Sequence, residues 1–347
     1  MLSSHATIRL NDPAKVLDAL QAHLAEHEIP VIGERDRRIA TFPSGEVVFQ
    51  PGTIELSVEA RASNQSDLED VTSFLSSHVR EFAEPERPEI RWSGFADRQA
   101  FSDFREMRVI RVADLTPHMR RVTLTGDDLE RFATDENYHV RLYFPQDPAN
   151  PSWPVRGADG LGVVQAPARR PHVRKYTIRR IDLATAEVDI DFVLHTAPGP
   201  GSDWAKAAVP GALVGMAGPG GRGVRPAEWY LLVGDETALP AIARALENMP
   251  ASAEGHVLVE VDHSTDALPL VKPDGVEVTW IPRHVPDQSL CDQARRIAIP
   301  TDRSVFCWAG TEFETIQSIR AHWRDVGRLG KHQQLAVSYW RRGMADE

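Results

Sequence analysis

Cysteine is nearly absent from this 347-residue chain. Cys291 and Cys307 have no metal-ligand spacing, which argues against a disulfide framework or a thiolate centre and leaves them as small buried side chains. An excess of basic charge is also lacking: 39 Lys+Arg face 50 Asp+Glu, for a net charge of −11. That balance argues against a general nucleic-acid binder and against attraction to anionic membranes. No apolar run approaches bilayer-spanning length, and Met1-Leu2-Ser3-Ser4-His5 has neither the basic nor the apolar part of a secretory signal. A soluble, cytoplasmic protein with no nucleic-acid partner and no membrane insertion is expected. The familiar glycine-rich dinucleotide loop is missing too. Gly218, Gly220 and Gly223 match its spacing, but a strand rather than a helix is expected after them.

The hydrophobic content of 42% is enough for real cores, and the length suggests two or three domains. Residues 1–92 read as a small α+β module. A strand at 6–10 precedes a helix capped by Asp12-Pro13 and running to about 26. Strands follow at 38–41, 46–50 and 53–59, then a helix at 65–82 with Leu68, Val71, Phe74, Leu75 and Val79 at helical spacing. The charged, proline-rich stretch 84–89 reads as a linker. Residues 105–226 read as an antiparallel β-barrel, with strands at 107–113, 120–125, 139–144, 174–181, 188–195 and 212–217 and a long loop at 146–171. Residues 227–347 alternate between strands (229–233, 256–262, 276–281, 304–309, 334–340) and helices (237–248, 288–297, 312–326). That pattern implies a doubly wound, nucleotide-binding-like α/β domain.

The chain is organised around Arg174-Lys175-Tyr176-Thr177-Ile178-Arg179. Alternation puts Arg174, Tyr176 and Ile178 on one face of this strand and Lys175, Thr177 and Arg179 on the other. An arginine can fork onto a pyrophosphate, a tyrosine can stack on a ring system, and a threonine can hydrogen-bond a ring edge, which together suit a flavin nucleotide. Asp191, Val193 and His195 lie on the following strand. Gly201, Ser202 and Trp204 come next, in a turn where glycine permits close approach and Ser202 can cap a helix whose amides face an anion. Asp235, Thr237 and Ala238 stand at the carboxyl end of the first α/β strand, where open parallel sheets bind ligands, and Thr237 can begin the helix there. Ser202 has no base arranged around it, so no acyl-transfer chemistry follows. His139 and His263 have no partner at ligand spacing, so no metal site is expected. Trp308, Trp323 and Trp340 read as core, with Trp340 the strongest exception.

Together, 174–179, 191–195, 202–205, 229–241 and 338–343 resemble the siderophore-interacting protein family, FAD-dependent ferric-siderophore reductases of the ferredoxin–NADP reductase-like superfamily. The resemblance runs from about Arg108 to the C-terminus. The first 92 residues resemble a small domain of uncharacterised function that is often fused ahead of reductase domains. The resemblance implies FAD held by Arg174, Tyr176, Thr177, the His195 segment and Ser202. It also implies electrons from NADPH or reduced ferredoxin, and reduction of a ferric siderophore. Arg141, Arg222, Arg341 and Arg342 are the candidates to meet the anionic chelate. One departure touches the donor side: many members place a glutamate after the equivalent of Trp308-Ala309-Gly310, whereas Thr311 precedes Glu312 here. Two other functions stay open, a general flavin-dependent NADPH oxidoreductase and a siderophore-binding or iron-sensing flavoprotein without catalysis.

Overall fold

Alternating burial of Ser4, Ala6 and Ile8 in β1 (Leu2–Arg9) gives the first sheet its inner face in the computed structural model. The model describes residues 1–27, 29–34, 36–163, 166–195, 199–286 and 289–344. Two compact units emerge: Met1–Phe104 with Ser152–Ala168, and Arg105–Pro151 with Arg169–Glu347.

In the first unit, α1 (Pro13–Glu26) starts where the Asp12 carboxylate accepts the Lys15 amide, and it buries Val16, Leu17, Leu20 and Leu24. Strands β2 (Val31–Glu34), β3 (Arg37–Phe42), β4 (Gly45–Pro51) and β5 (Glu55–Ala62) complete an antiparallel sheet of order β1-β5-β4-β3-β2. Strand β2 lies outside the sequence expectation because its four residues are mostly exposed and carry no alternation. Helix α2 (Gln65–Phe82), capped by Asn64, packs Leu68, Val71, Leu75 and Val79 onto the same core.

The stretch expected as one loop, 146–171, is more ordered than that, although Val164 and Gln165 fall outside the described residues. Strand β6 (Gln99–Ala100) pairs with β10 (Val155–Arg156) inside the first unit. Arg156 is fully buried there. Its guanidinium lies 3.8 Å over the Phe95 ring, and Nη2 is 3.1 Å from Glu69 Oε1, an ion pair without hydrogen-bond alignment. Ser76 donates to the Asp159 carbonyl at 2.6 Å. Nothing in a Pro/Gly/Ala-rich sequence marks such a segment, because its partners are distant in the chain.

The second unit holds a barrel and an α/β layer. The barrel comprises β7 (Phe104–Thr116), β8 (Met119–Thr125), β9 (His139–Phe144), β11 (His172–Asp182), β12 (Glu187–Val193) and β13 (Leu213–Gly220), closed in the order β11-β12-β8-β7-β13-β9. Helix α3 (Pro200–Ala207) lies between β12 and β13.

In the α/β layer, β14 (Trp229–Gly234) is buried along its whole length, as a central parallel strand should be. It is followed by α4 (Leu239–Glu247), β15 (Glu254–Val261), β16 (Val276–Pro282), α5 (Leu290–Arg296), β17 (Val305–Glu312), α6 (Phe313–Asp325) and β18 (Gln334–Trp340). The sheet is parallel with order β16-β15-β14-β17-β18, so its direction reverses between β14 and β17. Gln288, expected to open α5, lies outside the described residues; Ser289 caps that helix. Helix α4 begins two residues later than expected because the Asp235 carboxylate accepts both the amide and the hydroxyl of Thr237 and holds it in the turn. The barrel and the α/β layer are pinned together by Arg244, which donates to the carbonyls of Thr134 (2.6 Å) and Ile178 (3.0 Å) and to Asp135 Oδ1.

Candidate functional site

The register of β11 on β9 sets Thr177 opposite His139, Lys175 opposite Arg141 and Arg174 opposite Leu142. Thr177 is buried, whereas Lys175 and Arg141 are exposed neighbours, so two cations share one barrel face. The Arg174 guanidinium donates through Nη1 to the Val173 carbonyl at 2.7 Å. The Tyr176 ring packs 4.4 Å from Phe192 and 6.1 Å from Phe144, and burial pushes its phenol pKa up. Trp204 joins that aromatic group, 5.4 Å from Phe144 and 5.6 Å from Phe192. Ile178 is core, and its carbonyl receives Arg244.

Helix α3 approaches the same strand. A side chain at Gly201 would collide with the Tyr176 hydroxyl, so glycine lets the helix start come close. Gly199 is the N-cap rather than Ser202. The Ser202 hydroxyl is buried and accepts the His195 amide at 3.2 Å. The intrahelical ladder of α3 begins with the Asp203 amide on the Gly199 carbonyl at 2.9 Å, so the amides of Gly201 and Ser202 precede it in the first turn, and Pro200 has no amide at all. His195 is exposed, with its carbonyl bound by Lys206 Nζ at 2.6 Å. Val193, half-buried, ends β12. The Asp191 carboxylate is gripped by Arg121 at 2.7 and 2.9 Å, which occupies both of its oxygens.

The C-terminal strand closes one side of the site. The Tyr339 hydroxyl lies 2.8 Å from His139 Nε2, and burial pushes the Tyr339 phenol pKa well up. Burial, with Lys175 nearby, lowers the His139 pKa to about 4, so its ring is neutral at physiological pH.

At the sheet reversal, Asp235 Oδ2 accepts the Thr311 hydroxyl and the Trp340 indole N–H, both at 2.7 Å. The carboxylate thereby ties together the carboxyl ends of β14, β17 and β18. The threonine that departs from the family pattern thus serves Asp235. Trp340 serves Asp235 as well. A Cβ at Gly234 would strike the Ala238 and Ile242 side chains, and Ala238 itself is fully buried under α4. Glu312 caps α6, accepting the amides of Glu314 and Thr315, and its other oxygen receives the Arg342 amide. Arg341 lies 4.5 Å over the Phe313 ring. Arg341, Arg342 and Arg222 are all exposed.

Sequence reasoning passed over Arg283. It donates to Glu236 at 2.7 Å and Glu260 at 2.9 Å, and lies 3.8 Å from Asp262. Burial raises the Glu236 pKa despite that contact. His263 has company that its sequence position did not show: its Nε2 lies 3.6 Å from Asp262, and its ring is 5.7 Å from His118 and 6.1 Å from His284. Among the described residues no group of His, Cys, Asp and Glu is arranged to hold a metal.

Residues 227–343 match the family model described as siderophore-interacting protein, and 108–223 match the siderophore-interacting FAD-binding domain. Residues 5–93 match a family described as an uncharacterized protein conserved in bacteria. Ferric vibriobactin reductase ViuB of Vibrio cholerae is 33% identical over 246 residues, covering 69% of this chain and 89% of the relative. The NADPH-dependent ferric-chelate reductase of Escherichia coli is 30% identical, covering 68% of this chain and 92% of the relative. The crystal structure of the siderophore-interacting protein SipS from Aeromonas hydrophila superposes with a TM-score of 0.59 at 33% identity, over 70% of this chain and 93% of that one.

Proposed function

Because the chain belongs to the siderophore-interacting protein family, we propose that it reduces ferric siderophores through bound FAD, with electrons drawn from a nicotinamide dinucleotide. One observation carries the reading: the close approach of Tyr176 to Gly201 brings the Arg174 strand and the first turn of α3 together. A forked guanidinium and a helix start are two anion-binding devices, and a pyrophosphate presents two adjacent anionic groups. The residues present therefore fit a flavin dinucleotide better than a mononucleotide.

Bound FAD supplies two-electron acceptance and one-electron delivery. The chain's own residues hold and shield it. Arg174 and the amides of Gly201 and Ser202 take the pyrophosphate, with Val193 and His195 beside them. Tyr176 and Thr177 flank the ring system. Asp191 acts through Arg121, keeping β8 and β12 aligned at the rim. Asp235 fixes the turn after β14, and Thr237 and Ala238 shape it for the donor. Arg141, Lys175, Arg341, Arg342 and Arg222 counter the negative charge of the approaching chelate. Catecholate and hydroxamate oxygens are hard donors that hold Fe(III) more tightly than Fe(II), so reduction frees the metal.

The test is direct. Cofactor released by heat is identified by chromatography. The protein is then photoreduced anaerobically and mixed with ferric catecholate, ferric hydroxamate, oxidised ferredoxin or free flavin. FAD, and fast reoxidation by the ferric chelates, is the expected result. Reoxidation only by ferredoxin or free flavin would point to a general oxidoreductase, and no reoxidation by any of them to a binding protein.

A further inference from the structure

In a doubly wound sheet of this strand order, a dinucleotide lies across the carboxyl ends at the reversal point. Its pyrophosphate sits at the turn after the first strand, and its adenosine ribose at the end of the second. Here the first strand is β14 and the second is β15, whose last residues stand beside the end of β16 in register Glu260↔Ile281 and Val261↔Pro282. The groups at that spot are Glu236 after β14, Glu260 and Asp262 at the end of β15, and Arg283 after β16, with His284 Nε2 3.0 Å from Asp262 Oδ1 and the rings of His263 and His118 at 3.6 and 3.9 Å from its Oδ2.

This geometry suits one kind of ribose. Across 254–266 and 276–286, Arg283 is the only lysine or arginine. Its guanidinium is committed on every side: Nη2 to Glu236 at 2.7 Å, Nε to Glu260 at 2.9 Å, and Nη1 3.8 Å from Asp262. The other cations flanking these stretches stand elsewhere. Lys272 precedes the first residue of β16 and Arg303 precedes Val305, the residue in register with the first residue of β14, so both lie at the amino edge of the sheet; Arg295 and Arg296 end α5, with Arg295 Nη2 on Ser318 Oγ at 2.6 Å. Three carboxylates around one arginine leave a net negative rim. A 2′-phosphate would have to enter that field and displace a carboxylate to reach the guanidinium. A 2′-hydroxyl needs only an acceptor. Asp262 is the most exposed of the three carboxylates; its Oδ1 is engaged by His284 Nε2 at 3.0 Å, and its Oδ2, whose nearest ring nitrogen is His263 Nε2 at 3.6 Å, is placed to be one.

Resting on the nicotinamide donor of the proposed function, we infer that Asp262 and Glu260, with Arg283 sequestered between them, select a donor with a free 2′-hydroxyl, NADH, over its 2′-phosphorylated counterpart. Asp262 accepts the ribose hydroxyl, and the shared negative rim rejects the phosphate.

Two measurements test this. The first is calorimetric titration of the protein with ADP-ribose and with its 2′-phosphate, which needs no turnover. ADP-ribose should bind about tenfold or more tightly, and raised salt should narrow the difference by screening the repulsion. The second is anaerobic flavin reduction by NADH and by NADPH, followed at the flavin absorbance alone, so that the iron acceptor does not enter. NADH should be favoured by a similar factor, and Asp262→Asn should shrink that factor by weakening NADH and admitting NADPH. Equal or tighter binding of the 2′-phosphate, a preference for NADPH, or an unchanged ratio in D262N overturns the inference. A flavin reduced by neither nucleotide also overturns it. Reoxidation of the photoreduced protein by ferric chelates in that case would leave iron reduction intact and move the failure to the donor.

Discussion

Tyr339, near the end of the last strand, places its hydroxyl 2.8 Å from Nε2 of His139 on the barrel strand that pairs with the Arg174 strand. This bond joins the α/β layer to the barrel, alongside those that Arg244 makes to Ile178 and Thr134. Tyr339→Phe removes it and leaves a half-buried imidazole nitrogen without that partner. The expected cost is about 1–3 kcal/mol in urea unfolding of the flavin-free protein. A midpoint equal to the parent's would show that water replaces the bond fully.

His139 sets a pH dependence. Its pKa falls from 6.5 to about 4 on folding, mainly through burial. The unfolded chain therefore binds this proton more readily than the native state does. Stability from the neutral ring is complete above pH 6.5 and is lost as pH falls from 6.5 toward 4. About 2 kcal/mol is expected to disappear across that window, after allowing for partial exposure. His139→Gln should flatten the acid limb of the stability–pH curve. A limb of unchanged slope in this variant would assign the acid sensitivity to the carboxylates.

What was legible in the sequence followed the range of the signal. Helices α1 and α2 announce themselves through the Asp12 cap and the four-residue apolar spacing, both local. The barrel strands and the parallel sheet follow from alternation and from buried runs such as Trp229–Gly234. The partners of a side chain are not local. Asp191 looks like a ligand until the register of β12 on β8 sets Arg121 against it. Ser202 looks like a cap until the helix begins at Gly199-Pro200, a start that proline at the first helical position signals. Arg283 stands just past a strand end in an α/β layer, and that placement was a usable signal. Arg156 offered none, since its burial depends on Glu69, eighty-odd residues earlier.

Arg174 is expected to matter for flavin retention. Arg174→Ala keeps the strand but removes the charged fork. Loss of a charge-assisted hydrogen bond should weaken FAD binding by about 1.5–3 kcal/mol, about one to two decades in the dissociation constant. Titration of the apoprotein with FAD measures this, and an unchanged constant would reduce Arg174 to an ordinary strand residue.

Glu69 and Arg156 test how the segment 152–163 is held. Glu69 also accepts the amide and hydroxyl of Ser102, each at 2.9 Å. Glu69→Ala leaves a fully buried guanidinium uncompensated, which should cost about 3–5 kcal/mol. Replacing both residues with methionine should recover much of the loss, since buried pairs often exchange well for apolar volume. Thermal unfolding of the single and double variants compares them. A double variant no better than E69A would place the loss in the Ser102 contacts instead.

The last expectation concerns charge at the mouth of the site. The chain carries a net −11, and an anionic ferric chelate should be repelled at long range. Attraction must therefore be local. Arg141 and Lys175 face each other across the β9–β11 register, and Arg341 is steadied over the Phe313 ring just past β18. Arginine keeps its charge at any working pH and meets paired oxygens with its fork. Arg141→Gln with Arg341→Gln should raise the KM for charged chelates about three- to tenfold at low salt, with kcat and FAD content close to the parent's. The gap should close as ionic strength rises, because the Debye length falls to about 8 Å near physiological salt and shrinks further beyond it. A neutral ferric chelate should show no difference between mutant and parent at any salt. Equal KM values for anionic chelates at low salt would make these arginines solvated surface charges and place the attraction on Lys175 or Arg222.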